Sequence, residues 1–264
     1  MSGHSKWATT KHKKAAADAK RSTLFSKLAR QITVAAKVGG DPNPENNASL
    51  AAAVERAKAQ SMPKDKIKTA IDKAFGAGKD ASSYEEVVYE GYGPCGVAVY
   101  CEALTDNRNR TAADVRACFT HAGGNLGTSG SVAFQFERKG EIIVEKVIKG
   151  EGKKDPDREN AVDEDEFMMV VAEAGGEDYE DAGDEWVVST AASDLMAVKK
   201  ALEEQGIEVK GAELTMEPTT PQAVTVDEAR KVMRLVDKLE ELEDLQGVYH
   251  TMDLTDEIIE ALDE

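Results

Sequence analysis

Residues 86–104 read EVVYEGYGPCGVAVYCEAL. Ahead of this stretch, apolar residues return every three or four positions. Within it they form β-branched and aromatic blocks split by Gly-Pro, the pattern of two strands around a turn. The chain therefore changes from helical to strand periodicity shortly after residue 80.

Working upstream, Leu24, Leu28, Ile32 and Ala36 recur at spacing four with Phe25 beside them, which predicts a helix over 15–37. Gly39-Gly40 stops it, and DPNPENN (41–47) is a turn that caps a second helix over about 47–60, with Leu50, Val54 and Ala57 on its apolar face. Pro63 opens a third helix, in which Ile67, Ile71 and Phe75 are expected to face inward and Gly76 is the stop. Residues 15–76 thus read as a three-helix unit with Ala-rich, close contacts.

Downstream, a helix is expected at about 110–122, followed by strands SVAFQF (131–136) and EIIVEKV (141–147), with Phe134 and Phe136 on one strand face and in the core. KGEGKKDPDREN (149–160) reads as a linker or exposed loop. A helix at about 160–174 leads to a hairpin over 177–190, a helix over 194–206 and a strand over 207–216. An acidic helix (about 226–243) and a strand, VYHTMDL (248–254), follow. Three helices end in HAGG (121–124), EAGG (173–176) and EEQG (203–206), each glycine suited to a left-handed C-cap. The order within 132–216 predicts a plait of two helices on an antiparallel sheet. The β-β-α at 85–122 and the α-β at 226–254 are left to pair as a second plait. The expected fold class is α+β: an N-terminal three-helix domain followed by two ferredoxin-like α/β plait domains, one inserted in the other. The expected boundaries are 1–79 for the helical domain with its arm, 80–130 plus 217–264 for the discontinuous domain, and 131–216 for the inserted one.

Charge divides at the same place as periodicity. The 264 residues carry 50 Asp+Glu against 33 Lys+Arg, a formal net charge of -17. Residues 1–79 hold 16 Lys+Arg against 6 Asp+Glu, a net of +10, which leaves 17 against 44 over 80–264 and a net of -27. A basic end on an acidic chain points to an anionic partner for that end. The leader GHSKWATTKHKK (3–14) holds no acid. Lys6, Lys11, Lys13 and Lys14 can follow a phosphate backbone and gain from counterion release. Trp7 and His12, with His4, can stack on unpaired bases, or Trp7 can pack on the helical unit. If the first helix reaches back to Lys13, then Lys13, Lys20 and Lys27 at spacing seven, with Arg30 and Lys37 one face round, form a cationic ridge.

TDNRNRT (105–111) sits at a strand-to-helix junction. Thr111 and Asp114 have capping-box spacing. Arg108 and Arg110 lie beside a helix N-terminus, where each cation is disfavoured by about 0.3–1 kcal/mol. Either Asp106, Asp114 or Glu102 offsets them, or an incoming phosphate does. GGNLGTSGS (123–131) lacks the GK[ST] of a phosphate loop and reads as tight backbone geometry between domains.

Other classes of function find little support. No G-x-S-x-G, H-E-x-x-H or dinucleotide fingerprint occurs, so no enzyme activity, cofactor or small-molecule substrate is expected. Cys95, Cys101, Cys118 and His121 have the wrong spacing for a zinc ribbon, and DEDE (163–166) reads as a helix start rather than a calcium loop. The odd cysteine count fits reduced thiols in a cytosol. No apolar run reaches 18 residues, so no membrane partner is expected. The N-terminus lacks the apolar region of a secretory signal, and its Lys-rich character differs from the Arg-rich transit peptides. A cytoplasmic location follows as an expectation.

GHSKWATTKHKKAAADAKRSTLFSKLARQI, SMPKDKIKTAI, YEGYGPCGVAVYCEALTDNRNRTAADVR and HAGGNLGTSGSVAFQF together resemble the YebC family over nearly the whole chain, least in the acidic linker and tail. The resemblance implies a helical N-terminal domain and two α/β plait domains. It also implies a cytoplasmic probable transcriptional regulator that binds DNA. A mitochondrial relative is described as a translational activator, and the bacterial family is linked to the ribosome, so ribosomal RNA is the other implied partner. Cys95 departs from the pattern, standing where the family's turn more often has glycine or another small turn residue, which bears on the local turn geometry. A rival from a different class is a protein–protein adaptor whose acidic domains dock basic proteins.

Overall fold

The computed structural model describes residues 18–76, 84–148, 150, 157–160 and 163–263. Contacts divide these into two compact units, one of residues 18–135, 222–252 and 260–263, the other of 136–221 and 253–259.

The first unit begins with three helices, α1 (Asp18–Gly39), α2 (Ala48–Ala59) and α3 (Lys64–Phe75). Leu28, Ile32 and Ala36 at spacing four put one face of α1 against Leu50, Val54 and Ala57 of α2 and Ile67 and Ala70 of α3. Each large side chain so buried contributes about 1.5–3 kcal/mol. Asn47 ties the turn together: its Oδ1 accepts the Leu50 N–H at 3.1 Å as the N-cap of α2, while its Nδ2 donates to the Ala35 carbonyl at 3.0 Å. Phe75 was expected inward but is 45% exposed, while its neighbour Ala74 is the residue of the last turn of α3 that joins the core.

Strands β1 (Glu85–Tyr92) and β2 (Ala98–Thr105) form the expected antiparallel pair. At the turn between them Cys95 takes φ 61°, a left-handed conformation that glycine enters without cost. Helix α4 (Arg108–His121) and the two-residue strand β3 (Asn125–Leu126) follow. The sheet is completed late in the chain by α7 (Val226–Glu240) and β10 (Leu245–His250), giving the antiparallel order β10-β2-β1-β3. Alternation places Tyr89, Val99, Cys101 and Ala103 on the face covered by Val115 and Phe119 of α4 and by Leu235 and Leu239 of α7. A short helix, α8 (Asp256–Asp263), was not anticipated by the periodicity.

The glycine-rich segment after β3 departs most from expectation. Residues 131–135 are not a strand: a 3₁₀ turn spans Ala133–Gln135, Phe136 is buried and Phe134 is 72% exposed. The cause is Glu90, a buried carboxylate on β1. It accepts backbone N–H groups from Gly130 (2.6 Å), Val132 (2.8 Å) and Ala133 (2.7 Å), which leaves them no part in a ladder. A Cβ on Gly127 would lie 2.4 Å from Ser131 Oγ, and one on Gly124 would lie 2.5 Å from the Tyr92 carbonyl oxygen. Close backbone approach, not phosphate binding, explains these glycines.

The second unit is the plait. One long strand, β4 (Phe136–Glu145), replaces the two expected there. A small hairpin of β5 (Val147–Ile148) and β6 (Arg158–Glu159) precedes α5 (Glu164–Ala174), β7 (Asp178–Asp181), β8 (Glu185–Ala191), α6 (Leu195–Glu204) and β9 (Gly211–Pro218). The order β7-β8-β4-β9, antiparallel throughout, is that of a ferredoxin-like sheet. Phe167, Val171, Val198 and Leu202 of the helices pack on Ile142, Val144, Trp186 and Val188. Asp163 of DEDE is the α5 N-cap, accepting the Glu166 N–H at 3.0 Å. Gly123, Gly175 and Gly206 all adopt positive φ after their helices, as the three glycine endings predicted.

Candidate nucleic-acid interface

Lys6, Trp7, Lys11, His12, Lys13 and Lys14 lie outside the described residues. Lys20 lies in the first turns of α1. Lys27, two turns on, donates from Nζ to the Glu240 carbonyl at 2.9 Å, where a cation complements the C-terminal end of α7.

The arginines converge on a residue that the sequence did not single out. Asp244 lies in the turn directly before β10, and its side chain is only 9% exposed. It accepts from Thr111 Oγ1 at 2.6 Å, from Arg110 Nη2 at 2.9 Å and from Arg30 Nη1. Thr105 Oγ1 stands 2.8 Å from the Thr111 oxygen and 3.3 Å from Asp244 Oδ2. The Asp244 carbonyl accepts the Leu104 N–H at 2.8 Å. One carboxylate therefore joins α1, β2, α4 and β10. Burial alone would raise its pKa, but hydrogen bonds from Thr111, Arg110 and Arg30 outweigh burial and hold it at about 2. Arg110 is pushed the other way, above its ordinary value, by its hydrogen bonds to Asp244 and Asp106.

The three arginines differ in how firmly they are held. Arg30, 16% exposed, also reaches the Leu104 carbonyl at 3.3 Å and Glu243 at 3.4 Å, and lies 5.6 Å from the centre of the Tyr84 ring. Arg110 is 46% exposed and divides itself between Asp106 (2.8 Å) and Asp244. Arg108 is 66% exposed, with Glu85 at 3.6 Å, a pair open to water on both sides and so worth little. Asn107, not Thr111, is the N-cap of α4: its Oδ1 accepts the Arg110 N–H at 3.1 Å, and Thr111 lies one turn in, where its hydroxyl reaches Asp244. An open cleft of about 290 Å³ fronts the cluster, lined among others by Arg30, Arg110, Thr111, Asp106, Asp114 and Glu243. Nothing in ELEDL (241–245) marks Asp244 among its acidic neighbours; only its placement directly before a strand sets it apart.

Among the described residues no group of three or more His, Cys, Asp or Glu is gathered as metal ligands, and no helix is long and apolar enough to cross a membrane.

Fold and surface together define a class: a helical unit braced to an antiparallel α/β sheet through buried and half-exposed arginines, with a ferredoxin-like plait inserted in the chain. Residues 5–77 match the TACO1/YebC protein N-terminal domain, and residues 84–252 match the TACO1/YebC second and third domain. The chain belongs to this family. It is 51% identical to a "probable transcriptional regulatory protein" of Rubrobacter xylanophilus, over 98% of each chain. It is 48% identical to another so named from Bifidobacterium longum, over the full length of both. The crystal structure of a conserved hypothetical protein from Aquifex aeolicus matches with a TM-score of 0.77 at 40% identity, over 90% of this chain and 93% of that one.

Proposed function

We propose that this chain is a non-enzymatic, cytoplasmic, nucleic-acid-binding regulator of gene expression that grips phosphate through its basic end. The observation that carries this reading is the segregation of charge, +10 over residues 1–79 against -27 over the rest. Basic segments of this kind bind polyanions by counterion release, while the acidic remainder repels phosphate elsewhere and orients the protein on its partner. The names given to the relatives, probable transcriptional regulatory proteins, support regulation and favour DNA. Lys6, Lys11, Lys13, Lys14 and Lys20 supply the phosphate contacts, and Trp7 and His12 supply stacking. Lys27, whose Nζ is given to the Glu240 carbonyl, meets a phosphate only by leaving that carbonyl. Arg108, the most exposed of the three arginines, is a second anchor, with Arg110 beside it and Arg30 behind.

A second reading, a translation factor on structured ribosomal RNA, is favoured by the preponderance of lysine over arginine in residues 1–79. Lysines on a loose arm are suited to backbone contact rather than base readout. Sedimentation of cell lysate with and without nuclease separates the two. Wild-type protein travelling with ribosomes, and a Lys13→Glu/Lys20→Glu variant left behind, would support the RNA reading. Protein absent from the ribosomal fraction but retained on duplex DNA would support the transcriptional one. Retention on neither contradicts both and leaves the protein–protein adaptor.

A further inference from the structure

Asp244 occupies the position that an external anion would take. Arg30 and Arg110 aim guanidinium groups at it from α1 and α4, and the hydroxyl of Thr111 completes the cradle. Paired guanidinium forks with hydroxyl donors are the set that holds phosphate oxygens as readily as carboxylate. We propose that the Arg30–Arg110–Thr111 cleft is a phosphodiester site whose resident counter-anion is the chain's own Asp244, so that nucleic acid binds there by displacing this carboxylate. The inference rests on the nucleic-acid reading above and adds an internal competitor to it.

The surroundings fit competition better than simple bracing. Arg110 is half-exposed and already shared between two carboxylates, so it can turn outward without losing every partner. Arg108, on the same first turn of α4, presents its cation to solvent beside the cleft. Asp106, Asp114 and Glu243 line the same cleft and keep its potential unfavourable for a lone small anion. Only a polyanion whose neighbouring phosphates also meet other exposed cations, such as Arg108, gains enough to enter. The site thereby discriminates a nucleic-acid backbone from inorganic phosphate.

The test is fluorescence anisotropy of the full-length chain with a short labelled RNA strand and a DNA duplex of the same sequence, across a salt series. Asp244→Asn is expected to bind the preferred probe about tenfold more tightly, the worth of one charge-assisted hydrogen bond. Its slope of log affinity against log salt should steepen by about 0.9 for each phosphate gained on the duplex, or about 0.7 on the single strand. Asp227→Asn, at the far end of α7 with an 88% exposed side chain, controls for the added charge alone and should give a smaller gain. Adding Arg110→Gln to Asp244→Asn should abolish the gain. Inorganic phosphate should compete with neither protein. If circular dichroism shows that Asp244→Asn does not fold, Asp106→Asn removes the exposed partner of Arg110 instead, with a gain of about threefold expected. Binding by wild type with either variant no tighter than Asp227→Asn overturns this inference alone, and marks Asp244 as a brace. No binding by any variant overturns both this inference and the reading beneath it.

Discussion

Glu90 on β1 and Asp244 directly before β10 are both buried carboxylates, and both are held below the ordinary carboxylate pKa against the upward push of burial. Glu90 commits its oxygens to three backbone N–H groups of a single loop. Asp244 commits its own to side chains from α1, β2 and α4. Backbone donors have no other conformation to offer while the loop stays folded, so Glu90 is a permanent part of the architecture. Guanidinium groups on long side chains can exchange partners. The same chemistry closes a loop in one place and gathers side-chain donors from separate elements in the other.

The contrast is broken most severely by Asp244→Ala, which removes the buried carboxylate shared by Arg30, Arg110 and Thr111. It leaves the largely buried Arg30 only the more exposed Glu243 as counter-charge. Removing one partner of a buried pair costs about 3–5 kcal/mol, and urea unfolding should show a loss of that order. Glu90→Gln keeps the shape but offers one carbonyl oxygen to three donors, and should cost about 1–3 kcal/mol by the same measurement. Its loss should be local, seen as faster amide exchange at Gly130, Val132 and Ala133.

Acid should separate the pair more finely. Asp244 has a folded pKa of about 2 against an ordinary 3.8. It binds its proton more weakly folded than unfolded, so its stabilisation is complete above about pH 4 and is lost as pH falls toward 2, a contribution of about 2 kcal/mol. Glu90 is shifted in the same direction and adds to the loss. Urea midpoints between pH 5 and pH 2.5 should therefore fall less in Asp244→Asn than in wild type. Arg108→Gln should have the smallest effect on the fold, under about 0.5 kcal/mol, because its ion pair is exposed on both sides. Its effect should appear instead in binding, as a salt slope smaller by about 1.

Much of the fold was legible because it follows from local rules. Leu28, Ile32 and Ala36 gave α1 its buried face, and the endings at Gly123, Gly175 and Gly206 fell where left-handed caps were needed. The β-β-α and α-β remnants paired through β10 and β2 because alternation left each with one apolar face. The failures have a common physical origin in long-range polar contacts. SVAFQF alternates like a strand, yet Glu90, forty residues away, takes its N–H groups. Thr111 has the spacing of a cap, yet its hydroxyl goes to Asp244, and Asn107 does the capping. Local periodicity carries no information about which distant carboxylate a donor will find. The arginines of TDNRNRT stood out by their unfavourable place at a helix start, but their anchor did not, since Asp244 is one acid among several in ELEDL.

The most direct test of phosphate recognition is the salt dependence of nucleic-acid affinity for the full-length protein. Six to ten phosphate contacts predict that affinity falls by about 10³–10⁵ between 50 and 200 mM salt, with Lys13→Glu/Lys20→Glu flattening the dependence. An affinity indifferent to salt, or a slope that the double variant leaves unchanged, would contradict a basic end that grips phosphate.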